Sequence, residues 1–149
     1  MNGKSIVIDS SVALKWRLRD EEATAQADAL LDDFLAGKLS LLTPTLFEYE
    51  ITNALKVGVM KGRLSETEAL TAIADFQGYD IEFFAFSTIQ RAAFQLACQY
   101  GRSVYDSAYL ALAQSQGIVF YTGDKKLFNA VNQDLSWVRW IGDYAFEKM

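Results

Sequence analysis

The chain carries no histidine and a single cysteine, so its chemistry must rest on carboxylates, hydroxyls, lysines and arginines. That removes imidazole acid–base catalysis, the Ser-His-Asp and Cys-His nucleophile systems and nearly all zinc sites. What remains is chemistry run on carboxylates or on a metal held by oxygen. Two aspartates end short apolar runs: Asp9 follows Ile6, Val7 and Ile8, and Asp124 follows Ile118 to Tyr121 with Thr122 and Gly123 between. Asp106 opens a helical pattern just ahead of the second run, in GRSVYDSAYLALAQSQG. The fourth candidate lies in TPTLFEYEITNAL, where Glu48 and Glu50 compete. These two are about 200° apart on a helix, so only one can face the sheet. Glu50 is the better choice, because Asn53 shares its face and leads into the apolar pair Ala54 and Leu55.

Each acid alone has a plain structural explanation. Asp9 can cap a helix, Asp106 can favour a helix start, Asp124 suits a turn, and Glu50 suits a solvated face. Together they point elsewhere. In a doubly wound sheet the first and fourth strands end side by side, and Glu50 and Asp106 reach the same crevice. Four carboxylates brought close together stay ionised only if a cation neutralises them. Mg²⁺ or Mn²⁺ fits, because both favour carboxylate and water oxygens and need no histidine. Such a site supports metal-assisted hydrolysis of a phosphodiester. The net charge of −5 would fall to about −1 with two divalent ions bound. It argues against indiscriminate nucleic-acid binding over the whole surface. Lys15, Arg17 and Arg19, then Arg102, then Lys125 and Lys126 lie close in sequence to the acids. Of these, Lys15, Arg17, Arg102 and Lys125 are expected to grip phosphates, unless they form an ordinary solvated charged face.

Hydrophobic spacing predicts the elements that must position these residues. A strand over Lys4–Asp9 leads into a short helix capped by Ser10 and Ser11, with Val12, Ala13, Leu14 and Trp16 as its apolar content. A helix over Glu22–Ala36 and a strand over Leu39–Thr43 follow. Pro44 belongs in the opening turn of the next unit, whose helix covers Leu46–Met60. Ser65 and Glu68 form a capping box before another helix with Ala69, Leu70 and Ile73. Ile81–Phe86 is the third strand, and Ser87 is expected to cap a helix running to Tyr100. In the helix that carries Asp106, the residues Tyr105, Ala108, Tyr109, Leu112 and Ala113 should face the core, and Gly117 should end it in a left-handed turn. A helix over Lys125–Val131 and a strand over Trp137–Ile141 complete the order β-α-α-β-α-α-β-α-α-β-α-β. Strands separated by helices imply a three-layer α/β/α fold with a mostly parallel sheet, one domain over residues 1–149.

Half of the residues are apolar, which excludes a disordered chain. No apolar run is long enough to span a bilayer, and no signal peptide is expected, so a cytoplasmic location is anticipated. Cys98 falls in a helical pattern and is expected to be a small core residue in a reducing compartment.

Taken in order, IVIDSSVALKW, TPTLFEYEITNAL, SVYDSAYLALA and VFYTGDKKL resemble the motifs of PIN-domain proteins, specifically VapC-type toxin ribonucleases. The resemblance runs from Ile6 to Leu127. It implies a PIN-like parallel sheet and an acidic Mg²⁺ or Mn²⁺ site using Asp9, Glu50, Asp106 and Asp124. It also implies cleavage of single-stranded RNA, a homodimer, and a cognate antitoxin that blocks the site. Thr122 matches the hydroxyl that the family often carries two residues before its last acid, and Asn53 matches a recurrent polar neighbour. Ser10 is the further candidate for polar support. A haloacid-dehalogenase-like phosphatase would need an aspartate where Ser11 stands, and a receiver domain would need a phospho-accepting aspartate near Ser87. The remaining alternative is a PIN-like module that binds RNA or a protein partner without cutting.

Overall fold

The computed structural model describes residues 4–145. Five strands, β1 (Lys4–Ile8), β2 (Leu39–Pro44), β3 (Glu82–Phe84), β4 (Phe120–Thr122) and β5 (Val138–Trp140), form one sheet in the order β3-β2-β1-β4-β5. Every neighbouring pair is parallel. The chain builds outward from β1 to β3, then returns to place β4 on the other side of β1. That reversal leaves a crevice between the carboxyl ends of β1 and β4, where ligands bind in open α/β sheets. Because both faces of the sheet are covered, β1 reads as a continuous apolar run, and Ile6, Val7 and Ile8 are all buried.

Seven helices among the described residues cover the sheet: α1 (Ser10–Leu14), α2 (Thr24–Leu35), α3 (Leu46–Met60), α4 (Glu66–Gly78), α5 (Gln90–Tyr100), α6 (Val104–Gln116) and α7 (Lys125–Val131). The result is a three-layer α/β fold. None of these helices is long and apolar enough to cross a membrane. Helix α6 packs on β1 and β2, with α5 against its outer side, while α1, α3 and α4 pack together. An aromatic cluster of Trp16, Phe76 and Tyr79 joins α4 to the segment after α1, and the Trp16 indole N–H donates to the Ala27 carbonyl of α2 at 2.8 Å. Trp16 is therefore core, not a stacking surface.

The expected order of elements is the observed one, and several boundaries coincide. The Ser65–Glu68 capping box is present in both directions. Four local expectations are corrected. Pro44 ends β2, opposite Phe84 and past the stretch that pairs with β1, instead of entering the first turn of α3. Ser87 caps nothing: Phe86–Thr88 tighten into a 3₁₀ turn, with the Thr88 hydroxyl on the Ala85 carbonyl, so α5 starts at Gln90. Cys98 is exposed, because the buried stripe of α5 runs through Ala93, Leu96 and Ala97 and turns the next residue outward. Tyr105 is exposed too, since α6 is engulfed from Ser107 to Ala113 while its first turn stands clear of the core.

Helix α6 precedes β4 and so runs back across the sheet, which puts its first turn at the carboxyl edge where β1 and β4 end. Gly101 sets that approach: it closes α5 at φ +63°, in the left-handed region. A Cβ there would meet nothing within 4 Å, so only backbone conformation opposes a side chain. Gly101→Ala is expected to lower stability by about 1 kcal/mol, read from urea denaturation. An unchanged midpoint would show that the turn is not held left-handed.

Candidate active site

The β1–α1 junction contributes the most deeply buried acid. Asp9 is 6% exposed and serves as the N-cap of α1, its Oδ1 accepting from the Val12 N–H at 3.2 Å and from the Ser11 hydroxyl. Its Oδ2 accepts from the Thr122 hydroxyl, which the pairing of Val7 with Phe120 and Ile8 with Tyr121 carries alongside. Asp9 is thus both a cap and the floor of the crevice. Burial pushes its pKa up to about 6 against those three hydrogen bonds, and repulsion from Glu50 adds to the rise.

Across the crevice, Thr122 Oγ1 also accepts from the Asp124 N–H at 3.0 Å. Asp124 caps α7, its Oδ1 accepting from the Lys126 and Leu127 N–H groups at 2.9 and 3.2 Å. The turn between them permits no side chain. Gly123 donates its N–H to the Ser11 hydroxyl at 2.8 Å, and a Cβ would lie 2.9 Å from the Ser11 carbonyl oxygen and 2.7 Å from Lys15 Cε. The β4–α7 turn therefore closes directly onto the β1–α1 turn.

Helix α3 leaves the same edge after β2, so its second turn still overlooks the crevice. Glu50 Oε1 accepts from the Ser10 hydroxyl at 3.2 Å and from the Tyr109 hydroxyl at 2.6 Å. Tyr109 is buried in α6 and stacks on Phe120 of β4, so the core itself aims its phenol at Glu50. Burial raises the Glu50 pKa against these two bonds, with repulsion from Asp106 adding to it. Glu48 instead borders a hollow of about 270 Å³ lined by Phe47, Ile51, Phe76 and Phe83. Asp106 lies in the first turn of α6, where Ser103 caps the helix by accepting the Asp106 N–H at 3.0 Å. Its Oδ2 accepts from Arg102 Nη2 at 3.1 Å. Burial nonetheless raises its pKa against the opposing pull of Arg102, and Asp124 adds a smaller repulsion.

The acids form an electrostatic chain, Asp9 to Glu50, Glu50 to Asp106, Asp106 to Asp124. Among the described residues, no three acidic side chains are already drawn round one point, so an ion would have to gather them. The donor chemistry fits a hard divalent cation: an all-carboxylate set in a partly buried crevice. Protein hydrogen bonds engage Oε1 of Glu50, Oδ2 of Asp106 and Oδ1 of Asp124, which leaves the other oxygen of each for coordination.

Of the residues expected to give polar support, Ser10 donates to Glu50 and Thr122 to Asp9. Asn53 instead is exposed and borders a surface hollow with Glu48, Tyr49 and Lys56. Lys15 is corrected as well. It is 2% exposed, its ammonium donating to the Glu22 carbonyl at 2.8 Å and lying 3.6 Å from Glu21, so it presents no surface cation. Arg17 is tied to Asp75 and the Tyr79 hydroxyl, both at 2.8 Å. Lys125 sits over the Trp140 ring at 4.9 Å, next in sequence to Asp124. Sequence reasoning missed Ser11, Ser103 and the phenol of Tyr109 as parts of the site. Tyr109 carried a usable signal, since a tyrosine in a core stripe needs a partner for its hydroxyl.

The PIN domain family model matches residues 6–133. The ribonuclease VapC3 of Pyrobaculum aerophilum is 30% identical over 124 residues, covering 82% of this chain and 91% of that protein. Among solved structures, Mycobacterium tuberculosis VapC20, described as a sarcin-ricin loop cleaving toxin, superposes with a TM-score of 0.61 at 15% identity, covering 85% of this chain and 95% of that one. A toxin–antitoxin complex from Klebsiella pneumoniae superposes with a TM-score of 0.55 at 18% identity, covering 89% and 94%. The last two likenesses are of fold.

The raised Asp9 pKa makes a stability prediction. Folded Asp9 holds its proton up to about pH 6, whereas the unfolded value is 3.8, so its effect favours the fold below 3.8 and is lost as pH rises through 6. Asparagine keeps the cap without the charge. Asp9→Asn is therefore expected to raise metal-free stability at pH 7 by roughly 2 kcal/mol, the gain fading to nothing below about pH 4. Denaturant midpoints across that range check it; a variant less stable at every pH would show that the carboxylate is not strained by burial.

Proposed function

The chain belongs to the PIN domain family, among its VapC-type members, and from that premise we propose that it is a divalent-metal-dependent endoribonuclease. We further infer that it acts as the toxin of a toxin–antitoxin pair. The observation that carries the reading is the chain of pairwise repulsions linking Asp9, Glu50, Asp106 and Asp124, from four separate elements along the β1/β4 crevice, in a sequence without histidine. VapC3 and VapC20 supply the substrate class through their names as a ribonuclease and as a toxin that cleaves the sarcin-ricin loop. Structural likeness to a toxin–antitoxin complex supports a protein antitoxin as the partner.

Asp9, Asp106 and Asp124 would hold the metal, and Glu50 would share in ligation or orient the attacking water. A divalent ion supplies, when bound, a lowered pKa for water and a counter-charge for the leaving oxygen. The protein's own residues do the rest. Ser11, Thr122 and the Val12 N–H fix both oxygens of Asp9, and the α7 N-terminus fixes Asp124. Ser10 and Tyr109 hold Glu50 by one oxygen, leaving Oε2 to accept a hydrogen bond from water as it approaches phosphorus. Water then adds to the phosphodiester, one P–O ester bond breaks, and the departing ribose oxygen takes a proton.

The experiment is cleavage of a mixed pool of structured RNAs with Mn²⁺, with Mg²⁺ or with EDTA, using wild type beside Asp106→Asn. Cutting is expected with either metal, to vanish in EDTA, and to fall by about 100-fold or more in the variant. Cutting that persists in EDTA, or at full rate in Asp106→Asn, would contradict the metal mechanism. A protein that retains RNA but never cuts it would instead be a binding module.

A further inference from the structure

Arg102 occupies a position that stability does not explain. It follows the left-handed turn at Gly101, and its backbone N–H donates to the Ala97 carbonyl at 3.2 Å, so its Cα is fixed. Its Nη2 pairs with Asp106 Oδ2 at 3.1 Å, across one helical turn, with the two side chains 24% and 29% exposed. Further down the side chain, Nε is buried and has no hydrogen-bond partner. A part-buried ion pair gains little once its desolvation is counted, while an unpaired buried N–H opposes folding. A guanidinium kept there at such a cost suits a group that has a second position.

We propose that Arg102 is the counter-charge that the metal displaces from Asp106, freeing its guanidinium to bind a phosphate of the RNA strand at the crevice. This rests on the metal-dependent reading above. A divalent ion and a guanidinium on one carboxylate repel each other, so loading the ion weakens the Arg102–Asp106 pair. The released fork matches two oxygens of a phosphate, and the burial of Nε keeps the guanidinium at the crevice. Metal loading and substrate grip are then coupled through one side chain. In the metal-free protein Arg102 shields Asp106 from Asp124 and Glu50, and holds no phosphate.

The test is calorimetric titration of Mn²⁺ into wild type, Arg102→Met, Arg102→Lys and Asp106→Asn, with melting curves verifying that each is folded. Arg102→Met is expected to bind Mn²⁺ about three- to tenfold more tightly than wild type, with Arg102→Lys close to wild type and Asp106→Asn weaker. Arg102→Gln replaces Arg102→Met if the latter does not fold. In parallel, the Arg102 Nε–H resonance is followed by NMR. It is expected to shift on adding Mg²⁺, and to shift again with inorganic phosphate only when Mg²⁺ is present. Wild type binding Mn²⁺ more tightly than Asp106→Asn but no less tightly than Arg102→Met would overturn the role of Arg102 alone. A resonance that responds to phosphate equally without Mg²⁺ would overturn the coupling. No Mn²⁺ binding by any of the proteins would overturn the metal site itself.

Discussion

A carboxylate buried at the end of a central strand is the constraint on which the rest of this structure depends. Asp9 is 6% exposed, yet it carries a group that burial strongly prefers to keep neutral. It stays in place because two pieces of chain converge on it: helix α1, through the Val12 N–H and the Ser11 hydroxyl, and the neighbouring strand, through Thr122. The first turn of α1 positions the first two donors, and the parallel pairing of β1 with β4 positions the third. The close approach of Gly123 to the Ser11 backbone follows from the same demand. Fold and site are one construction here.

Charge elsewhere in the molecule behaves differently. Arg63 with Asp20 and Glu21, Arg19 with Asp28, and Arg17 with Asp75 are exposed or half-exposed pairs at the surface, where ion pairs contribute little. They matter for what they remove. The basic residues that follow Asp9 in sequence are already neutralised by other partners, and Lys15 is folded inward under Gly123. Arg102 is the cation that pairs with an acid of the crevice. The crevice is therefore acidic, and an incoming phosphate needs added positive charge there.

The fold was legible because parallel strands buried on both faces write themselves as unbroken apolar runs, as Ile6–Ile8 does, and because the Ser65 capping box and Gly101 punctuate helices by local chemistry alone. What local patterns do not record is which way a side chain turns once tertiary packing is complete. Asn53 and Glu50 share a helical face by phase, yet only Glu50 finds hydroxyls opposite it. Lys15 looks like a surface lysine in sequence and is held inside by the Glu22 carbonyl. Cys98 follows a buried stripe and misses it by one residue. Asp9, Asp106 and Asp124 each stand at the start or end of an element, which fixes their height on the sheet. Glu50 lies in the second turn of α3 and was singled out by helical phase. Their hydroxyl partners were harder to find, since Ser11, Ser103 and Tyr109 each have an ordinary role in capping or core packing.

Under the proposed mechanism, Asp9, Asp106 and Asp124 hold a divalent ion at the β1/β4 crevice, with Glu50 beside it. The most direct measurement is a crystal of the protein grown with Mn²⁺ and recorded at a wavelength where manganese scatters anomalously. An anomalous peak is expected within coordination distance, about 2 to 2.3 Å, of oxygens from Asp9, Asp106 and Asp124. A crevice without such a peak, at Mn²⁺ concentrations that saturate any binding seen in solution, would contradict it.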